Sequence, residues 1–206
     1  MPKKPLTLRE WAGVTAPRAF SRKSTAVLLI DFQEEYYNGE LPIPDGEKAA
    51  AHAAQLLDWC RTNGIMIVHV RHEAPTAASP LFAPGGPSVE FHLPLQPEAG
   101  ETVIRKNFPS SFHGTDLHDL LRDRGVSTLV LSGLMTHMCV ESTARHAAHL
   151  GYRVVVAADA CASRDLPDMA GGVVDHGLVH RTSLAVLADR FSDVLATAGI
   201  MRLPVE

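Results

Sequence analysis

A cysteine lies at a turn of the sequence where a thiol could act as a nucleophile. The apolar run 127–132 is typical of a strand, and a helix-like stretch begins at Val140, directly after Cys139. A thiol at this place lies near a helix N-terminus, where the helix dipole favours the thiolate. Because the thiolate is the nucleophilic form of cysteine, the position predicts covalent catalysis by Cys139.

Two further groups that a cysteine nucleophile needs follow other apolar runs. The run 26–30 leads into Asp31, a candidate general base, and the run 101–105 leads into Lys106, a candidate cation. Because a nearby ammonium group favours a thiolate, we expect Lys106 and the helix N-terminus to lower the pKa of the Cys139 thiol.

Strand-like and helix-like stretches alternate over most of the chain. The strand-like runs lie at 25–31, 65–70, 102–106, 127–132, 152–157 and 184–187. The helix-like stretches lie at 46–62, 115–124, 139–150, 167–179 and 189–198. Alternation of this kind predicts a three-layer α/β/α fold with a parallel sheet of about six strands. Residues 1–23 are predicted to form an N-terminal arm packed on a domain that comprises residues 24–206.

The parallel sheet brings the three candidate groups together. Ligands of open parallel sheets bind outside the carboxyl ends of the strands. Asp31, Lys106 and Cys139 follow the first, third and fourth predicted strands, so the chemistry requires these three strand ends to converge.

A long proline-rich segment, residues 73–100, interrupts the alternation. A connection of this length in a compact domain is usually functional, and we expect it to form part of the site wall or an oligomer contact. It holds more apolar side chains than a solvated loop needs, which favours a homo-oligomer, although the same loop could instead cover the site of its own subunit. These side chains are Leu81, Phe82, Val89, Phe91 and Leu93.

Composition excludes several classes of function. The 206 residues carry a formal net charge of −4 without a basic patch, so nucleic acid is not an expected partner. The sequence shows neither a secretory signal nor an apolar run long enough to span a membrane. Three cysteines are too few for a disulfide framework, and a reducing cytoplasm is the expected location.

Four segments of the chain together form a recognisable pattern. They are Leu29-Ile30-Asp31-Phe32-Gln33, Arg105-Lys106-Asn107-Phe108, Gly133-Leu134-Met135-Thr136-His137-Met138-Cys139-Val140 and Asp159-Ala160-Cys161-Ala162. With these segments the chain resembles the isochorismatase-like cysteine hydrolase superfamily, which includes nicotinamidases and N-carbamoylsarcosine amidases. The resemblance runs from about residue 24 to residue 198.

The resemblance implies a mechanism and a set of catalytic groups. It implies a triad of Asp31, Lys106 and Cys139 that cleaves an amide, ureide or carbamoyl C–N bond of a small molecule through a thioester. It also implies a cis peptide between Leu134 and Met135, and an oxyanion hole formed by the backbone N–H groups of Met135 and Cys139.

Metal binding is not expected from the sequence. Nicotinamidase-like members of the superfamily carry an Asp-x-His motif after the second strand, and this chain lacks it. His69 and His72 are three residues apart on a predicted strand, so they should face opposite sides of the sheet. We therefore predict no cofactor and no metal; if a metal were bound, the candidate ligands would be His69, His72, His92 and His113.

Side chains near the triad are the candidates for substrate contact. These candidates are Phe32, Gln33, Tyr36, Phe108, Thr136 and His137. Ordinary packing is the competing interpretation for the aromatic residues, and a structural amide is the competing one for Gln33.

Two alternative functions remain open at this point. Isochorismatase-type members of the superfamily cleave a vinyl ether with the Asp and the Lys and do not need the Cys, so the presence of Cys139 argues against that activity. A non-catalytic module that keeps the fold would be free to lose any member of the triad, and all three are present here.

Overall fold

The structure is a computed structural model that describes residues 5–206. Six strands form one sheet, in the spatial order β3-β2-β1-β4-β5-β8, and every neighbouring pair is parallel. A separate antiparallel pair is formed by β6 and β7. The strands are β1 Thr25–Ile30, β2 Met66–His72, β3 Thr102–Lys106, β4 Thr128–Leu134, β5 Arg153–Ala162, β6 Leu166–Pro167, β7 Val173–Val174 and β8 Asp193–Leu195.

Helices cover both faces of the sheet. They are α1 Leu8–Trp11, α2 Gly46–Asn63, α3 Leu117–Asp123, α4 Glu141–His149, α5 His176–Arg190 and α6 Thr197–Met201. Alternate residues of β1 enter two separate cores, as the period of two along a strand requires. Val27 and Leu29 pack with α2 and α6, whereas Leu28 and Ile30 pack with α3, α4 and α5. The predicted three-layer fold is confirmed.

The strand order creates a crevice at the carboxyl edge of the sheet. The chain moves outward from β1 to β2 and β3, and then returns to β1 with β4 on its other side. Such a reversal is the place where open α/β sheets bind ligands. The ends of β1 and β4 are therefore neighbours, and the end of β2 lies between those of β1 and β3.

The prediction for residues 167–198 is wrong. A hairpin and a single long helix replace the predicted helix 167–179 and strand 184–187, and β8 with α6 replaces the predicted helix 189–198. The helix begins at His176 because the Asp175 side chain accepts hydrogen bonds from the first turn of α5. Buried Val179, Ser183 and Leu187 recur every four residues, which is a helical stripe rather than strand alternation.

The described part of the N-terminal arm packs on the C-terminal third of the chain. The Leu8 N–H donates to Asp189 of α5 at 3.0 Å, and Arg9 forms an ion pair with Asp193 at 2.8 Å. Phe20 is buried and forms a parallel bridge with Val205. Residues 1–4 of the predicted arm lie outside the described residues, and the boundary between arm and domain remains a prediction.

The proline-rich segment folds onto its own subunit. Phe82, Val89 and Phe91 are buried within the chain, whereas Leu93 is 66% exposed. Phe82, Val89 and Phe91 therefore do not argue for an oligomer contact, whereas Leu93 stays exposed, and the homo-oligomer remains a prediction. No helix among residues 5–206 is both long and apolar enough to cross a membrane.

A glycine allows β4 to approach β1 directly below the crevice. Gly133 has φ +153° and pairs with Ile30 in the sheet register. A Cβ at position 133 would lie 2.3 Å from the Ile30 carbonyl oxygen and 2.6 Å from the Ile30 Cβ. Only glycine therefore fits the space between the strands that lead to Asp31 and Cys139.

We expect Gly133→Ala to lower the free energy of unfolding by about 3 kcal/mol, because the backbone of β1 must move to admit a methyl group. The matched control is Gly64→Ala, where φ is +66° but no atom would lie within 4 Å of the new Cβ. That change should cost only about 1–2 kcal/mol of backbone strain. Urea unfolding followed by circular dichroism measures both, and equal losses would contradict the proposed close approach.

Candidate active site

The side chains of Asp31, Lys106 and Cys139 meet at the carboxyl edge of the sheet. The Lys106 Nζ lies 2.7 Å from Asp31 Oδ2 and 3.4 Å from Cys139 Sγ. Asp31 is 0% exposed, Lys106 is 4% exposed and Cys139 is 5% exposed. The ends of these three strands thus converge, as predicted from the sequence. The place where they meet is almost closed to solvent.

Asp31 adopts a conformation that is unusual for a residue other than glycine. Its φ is +55°, in the left-handed region, where such residues cluster at functional sites. One carboxylate oxygen accepts from Lys106, whereas the buried Oδ1 has no hydrogen-bond partner among the described residues. Asp31 can therefore bind the cation with one oxygen and accept a proton with the other.

Cys139 lies within a single turn of π-helix, Thr136–Val140, which leads directly into α4. The Leu134–Met135 peptide that precedes this turn is cis, as the resemblance implies. Rather than the regular α-helix predicted from residue 139, the chain makes a wider turn that carries the sulfur toward Lys106.

The expectation of a lowered thiol pKa is wrong for the resting protein. Burial and the Asp31 carboxylate raise the pKa of the Cys139 thiol, and Lys106 opposes them only in part. Burial lowers the pKa of Lys106, but Asp31 and Cys139 outweigh it and raise that pKa overall. The thiol of the resting site is therefore neutral near pH 7 and lies beside the ion pair of Lys106 and Asp31.

His72, the last residue of β2, is a member of the site that the sequence reasoning named only as a possible metal ligand. Its Nδ1 lies 3.3 Å from the Lys106 Nζ. Burial and Lys106 lower its pKa, so the imidazole is neutral near pH 7. The rule that identified the other groups, a polar side chain at a strand end, also applies to His72.

The side chain of Gln33, a predicted substrate contact, is instead hydrogen-bonded to backbone groups within the protein. Its amide nitrogen donates to the carbonyl oxygens of His72 and Val89, each at 2.9 Å. Its amide oxygen accepts from the His72 N–H at 2.7 Å, and the residue is 0% exposed. A buried amide with these three bonds connects β2 to the proline-rich loop.

Aromatic rings form one wall of the site. Tyr36 packs edge-on against Phe82, with ring centroids 5.2 Å apart, and Phe82 packs edge-on against His72 at 5.0 Å. Cys139 and Asp31 add to the effect of burial in raising the pKa of Tyr36, which indicates that the phenol lies near both side chains. Phe82 has φ +53° and belongs to the proline-rich loop, which therefore covers part of the site.

The remaining predicted contact residues differ in their surroundings. Phe32 is 1% exposed and packs in the core with residues of α2. The Thr136 hydroxyl is bonded to His180 Nδ1 at 2.8 Å, and His137 Nδ1 lies 3.1 Å from the Ser163 hydroxyl. Phe108 is 52% exposed and packs against His113. Of these, Phe108 and His137 stay candidates for substrate contact.

Arg164 is a second residue that the sequence reasoning missed. It follows β5, which extends five residues beyond the predicted strand and pairs at Cys161 with Gly133 of β4. Its charge contributes, after burial, to lowering the pKa of His137, and it opposes the raised pKa of Tyr36. Its Nε is buried without a partner among residues 5–206, and its Nη1 donates to the Asp165 carbonyl.

The four histidines named as candidate metal ligands do not meet. His69 is bonded to Glu101, His92 lies between Glu34 and Glu47, and His113 packs on Phe108, whereas His72 contacts Lys106. Within the described chain, the one group of side chains with ligand geometry is Asp165, Asp175 and His176, which are largely exposed and outside the triad.

We expect the alkylation rate of Cys139 by iodoacetamide to rise about tenfold per pH unit from pH 6 to 9 without a plateau, because the thiol pKa is raised. Asp31→Asn should speed alkylation at a given pH by removing the neighbouring negative charge, and Lys106→Met should slow it. Mass spectrometry of the labelled peptide gives the rates. A plateau below pH 7 would show a thiolate in the resting protein.

Comparison with known proteins gives the family. The model of the isochorismatase domain matches residues 25–199. The isochorismatase family protein YddQ of Bacillus subtilis is 37% identical, covering 87% of this chain and 99% of its relative. The secreted isochorismatase effector Isc1 of Verticillium dahliae is 37% identical over 94% of this chain and 98% of its own. Maleamate amidohydrolase of Pseudomonas putida is 28% identical over 93% of this chain and 92% of its own.

Solved structures agree with this result. The crystal structure of an isochorismatase from Pseudomonas putida superimposes with a TM-score of 0.88 at 37% identity, covering 94% of this chain and 98% of that one. A cysteine hydrolase from Pseudomonas syringae superimposes with a TM-score of 0.85 at 29% identity, covering 98% and 97% of the two chains. With a matching domain model and relatives of full length, this chain belongs to the isochorismatase family of hydrolases.

Proposed function

We propose that the protein is a cysteine-dependent amidohydrolase that cleaves a C–N bond of a small molecule through a thioester. The observation that carries the proposal is the position of the Lys106 ammonium, which lies within hydrogen-bond reach of both the Asp31 carboxylate and the Cys139 sulfur. The amidohydrolase and the cysteine hydrolase among its relatives support this choice of reaction.

The reaction begins with transfer of a proton from Cys139 to Asp31. Because the thiol is neutral at rest, the nucleophile forms when Asp31 Oδ1 removes the proton, and Lys106 stabilises the resulting thiolate. The thiolate attacks the amide carbonyl, and the tetrahedral oxyanion is bound by the backbone N–H groups of Met135 and Cys139. Asp31 then gives its proton to the leaving amine, and water cleaves the thioester.

The closed site restricts the size of the substrate. The sulfur belongs to a residue that is 5% exposed, and Tyr36 with Phe82 forms a wall beside it. A small amide, ureide or carbamoyl compound meets this limit, as does a flat conjugated group that packs against the rings.

Arg164 indicates the charge of the substrate. Its guanidinium donates to a backbone carbonyl through Nη1, and its charge lowers the pKa of both Tyr36 and His137, against the effect of burial at Tyr36 and with it at His137. A guanidinium at such a place binds a carboxylate well because two N–H groups can donate in parallel. We therefore propose a substrate in which the scissile amide and a carboxylate belong to the same small molecule.

A vinyl-ether hydrolase of the isochorismatase type is the second candidate, because relatives of this chain bear the isochorismatase name. That reaction uses the Asp and the Lys without a covalent intermediate. The two candidates therefore differ in their dependence on Cys139.

We expect Cys139→Ala to lower amide turnover by at least about 1,000-fold, because no nucleophile remains. Cys139→Ser should also be poor, since its alkoxide is much harder to form than a thiolate. Ammonia release from a panel of primary amides, ureides and carbamoyl compounds measures the loss. Cys60→Ala is the control, because Cys60 is a buried thiol of α2 outside the site. Amide turnover that survives in Cys139→Ala would exclude the thioester.

We expect Arg164→Met to raise the KM for a carboxylate-bearing amide by about 10- to 100-fold, as loss of a charged hydrogen bond implies, with kcat little changed. Arg164→Lys should recover part of the loss because it keeps the charge without the paired donors. Steady-state kinetics with a neutral amide of similar size is the control. An equal rise in KM for the neutral amide would assign Arg164 a purely structural role.

A further inference from the structure

His72 occupies a central place among the strand ends. It is the last residue of β2, and its register partner in the sheet is Lys106, the last residue of β3. On its other side, β2 pairs with β1, whose end leads into Asp31. The residue therefore lies between the two charged members of the triad.

The Lys106 ammonium has three N–H groups and three acceptors. They are Asp31 Oδ2 at 2.7 Å, Cys139 Sγ at 3.4 Å and His72 Nδ1 at 3.3 Å. The Lys106 side chain is 0% exposed, so water cannot replace a missing acceptor. For Nδ1 to accept, the imidazole must be neutral and must carry its proton on Nε2.

The surroundings of His72 hold the ring in this position. The buried Gln33 amide binds both the N–H and the carbonyl of His72, at 2.7 and 2.9 Å. The ring of Phe82 packs edge-on against the imidazole. The backbone of His72 is thereby fixed at two points and its ring at a third, which is more restraint than a surface histidine has.

We propose that His72 is a positioning residue of the triad, whose Nδ1 accepts the third N–H of Lys106 and so directs the other two toward Asp31 and Cys139. This role rests on the proposed cysteine mechanism, because it matters only if Lys106 stabilises the Cys139 thiolate. His72 acts through Lys106 and takes no part in bond making.

The role has a consequence at low pH. The charged groups that face His72 are Lys106 from β3 and Asp31 from the end of β1, while Gln33 and Phe82 are uncharged. Protonation would turn Nδ1 from an acceptor into a donor that faces the ammonium at 3.3 Å. Activity should therefore fall as pH falls through the pKa of His72, which lies below its ordinary value.

The test compares His72→Asn with His72→Leu. The Asn Oδ1 is as many bonds from Cα as His Nδ1, so it keeps an acceptor that does not titrate, and Leu has nearly the shape of Asn without the acceptor. With an amide that the wild-type protein hydrolyses, we expect His72→Leu to lower kcat by about 10- to 100-fold, with KM little changed. His72→Asn should restore most of kcat, and the acid limb of its pH profile should move to lower pH.

Alkylation of Cys139 by iodoacetamide gives a second readout that needs no substrate. It should slow in His72→Leu, where Lys106 loses its orientation, and stay near the wild-type rate in His72→Asn. Equal kcat and equal alkylation rates in the two variants would overturn the proposal, as would an unchanged acid limb in His72→Asn. Urea unfolding shows whether each variant is folded, and turnover by Cys139→Ala would identify failure of the cysteine mechanism separately.

Discussion

The buried ion pair between Lys106 and Asp31 is the interaction on which the rest of the site depends. Both side chains are 0% exposed, and desolvation of two such charges costs several kcal/mol each, which their attraction offsets only when the remaining polar atoms are satisfied. Lys106 meets that condition through Cys139 and His72. Asp31 meets it only in part, since Oδ1 has no partner within residues 5–206. The proposed role of Asp31 as a base relies on this free oxygen.

Burial, together with the Asp31 carboxylate of this pair, keeps the thiol neutral at rest. Asp31 is close enough to Cys139 to raise its thiol pKa, and Lys106 lowers that pKa by less than burial and the carboxylate raise it. A neutral thiol reacts slowly with oxidants and stray electrophiles. In the proposed mechanism the nucleophile forms only when Asp31 removes the thiol proton, which would couple reactivity to substrate binding.

Much of the fold and of the site could be predicted from the sequence, for a local reason. Buried parallel strands such as β1 are short apolar runs, so their ends can be read from the residues that follow them, and Asp31, Lys106 and Cys139 stand at such ends. The same reading was wrong for residues 167–198. There the apolar residues 184–187 of α5 have the composition of a short strand. The segment is helical because the Asp175 side chain caps the first turn of α5 and because one face of the helix is buried.

What the sequence by itself determined is the set of chemical groups and the strand ends that carry them. What only the tertiary structure decided is how these groups affect one another, because distance and dielectric are properties of the packed state. Burial reversed the expected shift of the Cys139 pKa, and the strand order β3-β2-β1 placed His72 against Lys106. Gln33, only two residues after Asp31 in the sequence, is bound by backbone groups of β2 and of the proline-rich loop. Sequence proximity could not show this, since those backbone groups reach Gln33 only when the sheet has formed.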